Sequence, residues 1–204
     1  MDLAVAERRD FVALLDQLTE AQWDTPTLCG HWTVRDVVAH VIGYDELSAA
    51  QTFAAFLRGG LYLPRVNAAM LARNRARSTA DLRDTVARHS VPRGLTTAFG
   101  GRIALSDVLI HHQDIRRPLR LERRVPPERL RVVLDFARWA PPLRGAWRAR
   151  GVRLVATDLD WSFGRGLQVS GPGEALLMAM TGRPAAIADL TGPGVDRLRH
   201  DLGG

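Results

Sequence analysis

Lysine is missing from this chain, and cysteine occurs once, at Cys29. A single cysteine excludes an intrachain disulfide and any zinc knot built on several thiolates. No apolar run reaches the roughly 18 residues needed to cross a bilayer, which excludes a membrane-spanning helix. The opening MDLAVAERRDF is charged and lacks the basic-then-apolar order of a signal peptide, so a cytoplasmic protein is expected. All 28 basic side chains are therefore arginine, and the net charge is +6. These arginines are scattered and interleaved with acids, which describes a solvated surface rather than a nucleic-acid footprint.

What is present is ordinary globular material: 46% apolar and 25% charged residues, too apolar for disorder. The 204 residues suffice for one large domain or two unequal ones. Ala4, Phe11, Leu14, Leu15 and Leu18 predict a helix over 3–19. A break follows at DTPTLCGHWT. Thr33, with Asp36 three residues on, then reads as an N-cap opening a helix that runs to about Arg58 and stops at Gly59-Gly60. Further helices are expected over about 64–77, from a cap at Ser78 or Thr79 through 89, over 103–117, and from the opening Val125-Pro126-Pro127 to about 140, with VPRGLTTAFGGR as a loop and Pro118 as a stop. Alternation in GVRLVATDLDWSFGRGLQVSG predicts two or three short strands. A helix at GPGEALLMAMTG, a strand at IADL and a terminal turn or helix complete the pattern. The expected fold class is mainly α, with a helical domain over 1–145 and a small α+β domain over 146–204.

Two segments carry residues suited to chemistry. In VRDVVAHVIGYDEL, His40 lies beside the apolar face made by Val34, Val37, Val38, Val41 and Ile42. In IALSDVLIHHQDIRRP, Asp107 and His111 are four residues apart, so a carboxylate oxygen and an imidazole nitrogen can converge on one ion. The plain alternatives are a packed helix-flank histidine and an exposed i,i+4 pair, the latter worth only a few tenths of a kcal/mol. The apolar neighbours Ile103, Leu105, Val108, Leu109 and Ile110 argue that the second helix is buried, where an uncompensated carboxylate is costly. Asp114 is placed to accept the second ring N–H of His111 and set its tautomer. His112 points about 100° away. Arg116 and Arg117 are candidates to hold an anionic cofactor or substrate, or to stabilise the helix C-terminus. Cys29 reads as a small buried residue in a turn.

These motifs resemble those of a known family. LTEAQWDTPTLCGHWTVRDVVAHV is similar to the opening motif of the actinobacterial mycothiol-dependent maleylpyruvate isomerase family, a branch of the DinB-like metal-binding superfamily. DVLIHHQDIRRP resembles its Glu-x-x-x-His-x-x-Asp element, and ATDLDWSFGRG through TGPGV resembles the C-terminal domain often attached. The resemblance implies a DinB-like four-helix bundle followed by a small α+β domain. It implies metal ligation by His40, Asp107 and His111, usually of zinc, with mycothiol as co-substrate. Asp107 stands where the family usually has Glu. Three protein ligands leave a coordination position open, and coordination turns a thiol into a thiolate.

The expected function is therefore a divalent-metal-dependent, mycothiol-using isomerase or S-transferase acting on a small electrophile, as monomer or homodimer. A non-catalytic metal- or small-ligand-binding protein of the same fold is the alternative. A mixed His/carboxylate set suits several divalent ions. A third class, a DNA-binding regulator, would need a helix-turn-helix in TVRDVVAHVIGYDELSAAQ, which lacks a clear turn between two helices.

Overall fold

Helix α1 (Asp2–Leu15) buries Ala4, Phe11, Leu14 and Leu15, the stripe expected from their spacing. The computed structural model describes residues 1–44, 46–60 and 62–202. The chain divides into two compact units, Met1–Glu122 and Arg123–Gly204. The boundary expected at 145/146 lies inside the second of these.

In the first unit, α2 (Glu20–Trp23) precedes α3 (Val34–Val41). The start of α3 is the capping box expected from Thr33 and Asp36. Thr33 Oγ1 accepts from the Asp36 N–H at 3.3 Å, and Asp36 Oδ2 accepts from the Thr33 N–H at 3.1 Å. The helix does not run on to Arg58. It ends at Val41, and a separate α4 (Ala49–Arg58) begins at its own cap, Ser48, paired with Gln51. Gly43 lies just past the end of α3, where a Cβ would come within 2.9 Å of Met70 Cβ, so only glycine allows this close approach.

Helices α5 (Leu63–Asn74) and α6 (Thr79–Arg88) follow, α6 capped by Ser78, one of the two candidates Ser78 and Thr79. The segment expected as a loop forms 3-10 turns over Gly94–Gly101, with Phe99 at φ 55°. Helix α7 (Arg102–Leu119) passes through Pro118 before stopping. Proline is accommodated there because the Asp114 carbonyl, four residues earlier, accepts instead from the Leu28 N–H. Helices α1, α3, α6 and α7 pack around Phe11, Leu14, Leu15, Val34, Val37, Val38, Leu82, Val86, Val108 and Ile115.

The second unit begins with α8 (Pro127–Ala137), opened by proline in its first turn, and α9 (Gly145–Arg148). Strands β1 (Val152–Ala156), β2 (Ser162–Gly164) and β3 (Leu167–Gly171) form a sheet of order β2-β1-β3, with β1 antiparallel to β2 and parallel to β3. The buried helix α10 (Gly173–Met180) packs on β1 and α8. Ile187–Leu190, expected as a strand, falls instead at the end of a 3-10 helix over Pro184–Asp189. Only the isolated Ser170–Thr191 bridge reaches the sheet edge nearby. Helix α11 (Val195–Leu202) closes the described chain. The result is a mainly helical protein with one small sheet. Among the described residues no helix is long and apolar enough to cross a membrane.

Candidate metal centre

His40 sits in the last turn of α3, and Asp107 and His111 lie one turn apart on α7. All three belong to the first unit. Packing of α3 against α7 brings His40 Nε2 to 3.4 Å from Asp107 Oδ1, while His111 Nε2 lies 3.6 Å from the same oxygen. One ligand atom from each residue falls within 4.8 Å of the others. Tetrahedral ligands at about 2.0–2.1 Å from a zinc ion are about 3.3 Å apart, so the two nitrogen-to-oxygen separations fit such an ion. Asp107, although shorter than glutamate, reaches ligand spacing.

The surroundings suit the same purpose. Asp114, fully buried, accepts from His111 Nδ1 at 2.9 Å. That leaves the Nε2 lone pair directed at the Asp107 side. The Trp32 ring lies 5.0 Å from the His40 ring and 6.2 Å from that of His111, covering both imidazoles with apolar surface. His40 Nδ1 is buried and has no hydrogen-bond partner among the described residues, so His40 lacks the kind of brace Asp114 gives His111.

Burial pushes the Asp107 carboxyl up. The hydrogen bond and charge of His40, with the charges of His111 and Arg8, outweigh it and bring the group to about 2. The donor oxygen is thus ionised at any working pH. Tyr44 donates to Asn67 Oδ1 at 2.6 Å, and burial, aided by the Asp107 charge, raises its phenol to about 12.

The turn carrying Trp32 and Cys29 is attached to α7 by an unusual route. Pro118 has no N–H for the carbonyl of Asp114 four residues earlier. That carbonyl instead accepts from the Leu28 N–H at 3.1 Å. Thr27 N–H donates to the Trp32 carbonyl at 2.9 Å and Trp32 N–H to the Cys29 carbonyl at 3.2 Å, closing the turn.

His112 and Arg116 belong to a separate network. His112 turns to α1, where its Nδ1 donates to buried Glu7 Oε1 at 3.0 Å, and Arg116 Nε donates to its Nε2 at 2.9 Å. Because a guanidinium can only donate, His112 carries its proton on Nδ1. Arg116 also donates to the Glu122 carbonyl at 3.3 Å. Arg116 and Arg117 lie five and six residues beyond His111 on the same helix, about 8 and 9 Å along its axis. The Glu7–His112 pair was not legible in the sequence, because its partners are distant along the chain and no short motif joins them.

Fold and site together define a helical protein bearing a His/Asp/His cluster on two packed helices. Residues 4–90 match the family model described as the mycothiol maleylpyruvate isomerase N-terminal domain, a match that includes His40 and ends before α7. The fold is similar to that of two solved structures of mycothiol-dependent maleylpyruvate isomerase. The crystal structure of a histidine-to-alanine mutant of that enzyme matches with a TM-score of 0.62, and another crystal structure of the enzyme with 0.57. Each is 16% identical in sequence, over 94% of this chain and 90% of the other. No curated protein matches the sequence.

Proposed function

We propose that this protein is a divalent-metal-dependent, mycothiol-using enzyme, an isomerase or S-transferase acting on a small electrophile in the cytoplasm. The observation that carries the reading is the ligand spacing of His40, Asp107 and His111 about a common point. These three residues would hold the ion, with zinc the best fit to two imidazoles and one carboxylate. Such an ion supplies a positive centre that favours the thiolate form of a thiol, whose ordinary pKa is about 8.5.

The chain's own residues set the conditions for that chemistry. Asp114 holds the proton of His111 on Nδ1, so that Nε2 is available as a donor. Asp107 stays ionised, and its negative charge offsets that of the cation. Trp32 screens one side of both imidazoles from water. In the family this chain resembles, the thiol adds across the double bond of maleylpyruvate, rotation follows, and elimination returns the thiol. An S-transferase would stop at addition or displacement.

Metal analysis of protein purified without added metal, beside mycothiol binding measured with and without chelator, tests the reading. One ion per chain and chelator-sensitive thiol binding are expected, both lost in His40→Ala. Protein that takes up no ion, or binds mycothiol equally well without one, overturns it. Tight metal and thiol binding with no turnover of any electrophile would select the non-catalytic alternative.

A further inference from the structure

We propose that Cys29, His111 and Asp114 form a second ligand set, suited to a thiophilic cation, that competes with the first cluster through their shared imidazole. Cys29 Sγ, a ring nitrogen of His111 and a carboxylate oxygen of Asp114 lie within 4.8 Å of one another. Asp114 Oδ2 is 2.9 Å from Nδ1, so this set faces the Nδ1 edge of the ring, while Asp107 faces the Nε2 edge. His111 thus has a donor group on each side, one cluster containing sulfur and the other none.

The set is held in place by the fold. The Leu28 N–H bond to the Asp114 carbonyl ties the residue before Cys29 to the helix that carries the other two donors. Cys29 N–H donates to Thr27 Oγ1 at 3.2 Å, which orients the turn. Asp114 is fully buried and His111 nearly so, whereas Cys29 is half-buried and gives an ion its way in. A thiolate and a carboxylate neutralise a divalent cation, and the sulfur biases the site towards soft ions such as cadmium.

The two clusters exclude each other by proton count. Ligation through Nδ1 requires the proton now shared with Asp114 to leave that nitrogen. The neutral ring keeps one proton, which must then sit on Nε2, where it donates towards Asp107 and no longer offers a lone pair. The thiol proton passes to solvent. Filling both clusters would need lone pairs on both ring nitrogens of His111 at once, which a neutral imidazole with its one proton cannot offer. The exclusion rests on the proposed role of the first cluster; the sulfur set itself does not.

Cadmium titration of the chelator-stripped full chain, followed by the sulfur-to-cadmium charge-transfer absorption, tests this directly. Wild type and His40→Ala should both develop the band. Cys29→Ser should lose it while still binding zinc. Asp114→Asn and His111→Ala, checked for native circular dichroism, should each weaken cadmium binding at least tenfold. Zinc and cadmium should displace one another, with one ion per chain in total. Absence of the band in wild type, a band unaffected in both Asp114→Asn and His111→Ala, or zinc and cadmium retained together would each overturn the proposal. Failure of wild-type protein to bind zinc, with the band intact, would instead count against the first cluster alone.

Discussion

Asp114 and His111 are joined by a 2.9 Å hydrogen bond between a carboxylate with no solvent exposure and the ring nitrogen that faces away from Asp107. A buried carboxylate in that position both orients the ring and strengthens its other nitrogen as a donor. Asp114→Asn keeps an acceptor but removes the charge. Zinc affinity, measured by competition with a chromophoric chelator, is expected to fall about 10–100-fold. Unchanged affinity would show that the ring is held by packing alone.

Asp107 is one methylene shorter than a glutamate would be, yet its oxygen stands 3.4 and 3.6 Å from the two imidazole nitrogens. Asp107→Glu is therefore expected to bind zinc no more tightly than the wild type, because the longer side chain must fold back to reach the same place. Asp107→Ala should lose the ion. Isothermal titration of the stripped proteins measures both, and tighter binding by Asp107→Glu would mean that the aspartate is too short.

Glu7 and His112 are fully buried and bonded to one another between α1 and α7. Removing one partner of a buried ionic or strongly polar pair leaves the other unsatisfied, at a cost of about 3–5 kcal/mol. Glu7→Ala should destabilise the protein by that order in urea unfolding. A loss below about 1 kcal/mol would place the pair among ordinary hydrogen bonds.

Two shifted groups give opposite pH signatures. Tyr44, raised to about 12 from an ordinary 10.0, contributes stability that is full below pH 10 and lost as pH rises through 12. Asp107, lowered to about 2 from an ordinary 3.8, contributes stability that is full above 3.8 and lost as pH falls through 2. Ultraviolet titration of the tyrosines should resolve one late midpoint that disappears in Tyr44→Phe. Acid unfolding of the stripped protein should begin at higher pH in Asp107→Asn. A Tyr44 midpoint near 10 would contradict the first expectation, and identical acid transitions the second.

Local signals read well where the physics is local. The capping box of Thr33 and Asp36, the N-cap at Ser78, the buried stripe of α1 and the strand region after Gly151 all depend on neighbours a few residues apart, and all are found. The end of α3 at Val41 was not legible; Gly43, just beyond it, lies against Met70 of α5, a contact that exists only once α5 has packed. IADL alternates like a strand but forms no strand ladder among the described residues, since strand formation requires a partner edge as well as a pattern.

Sequence alone determined which side chains could serve as ligands, because helical periodicity puts Asp107 and His111 on one face whatever surrounds them. It could equally place Asp114 one turn from His111. Tertiary structure decided the rest: that His40 arrives beside that face, that Cys29 comes within 4.8 Å of a ring nitrogen of His111, and that His112 is committed to Glu7. Those pairings join residues tens of positions apart, and their distances follow from how whole helices pack, which no local pattern encodes.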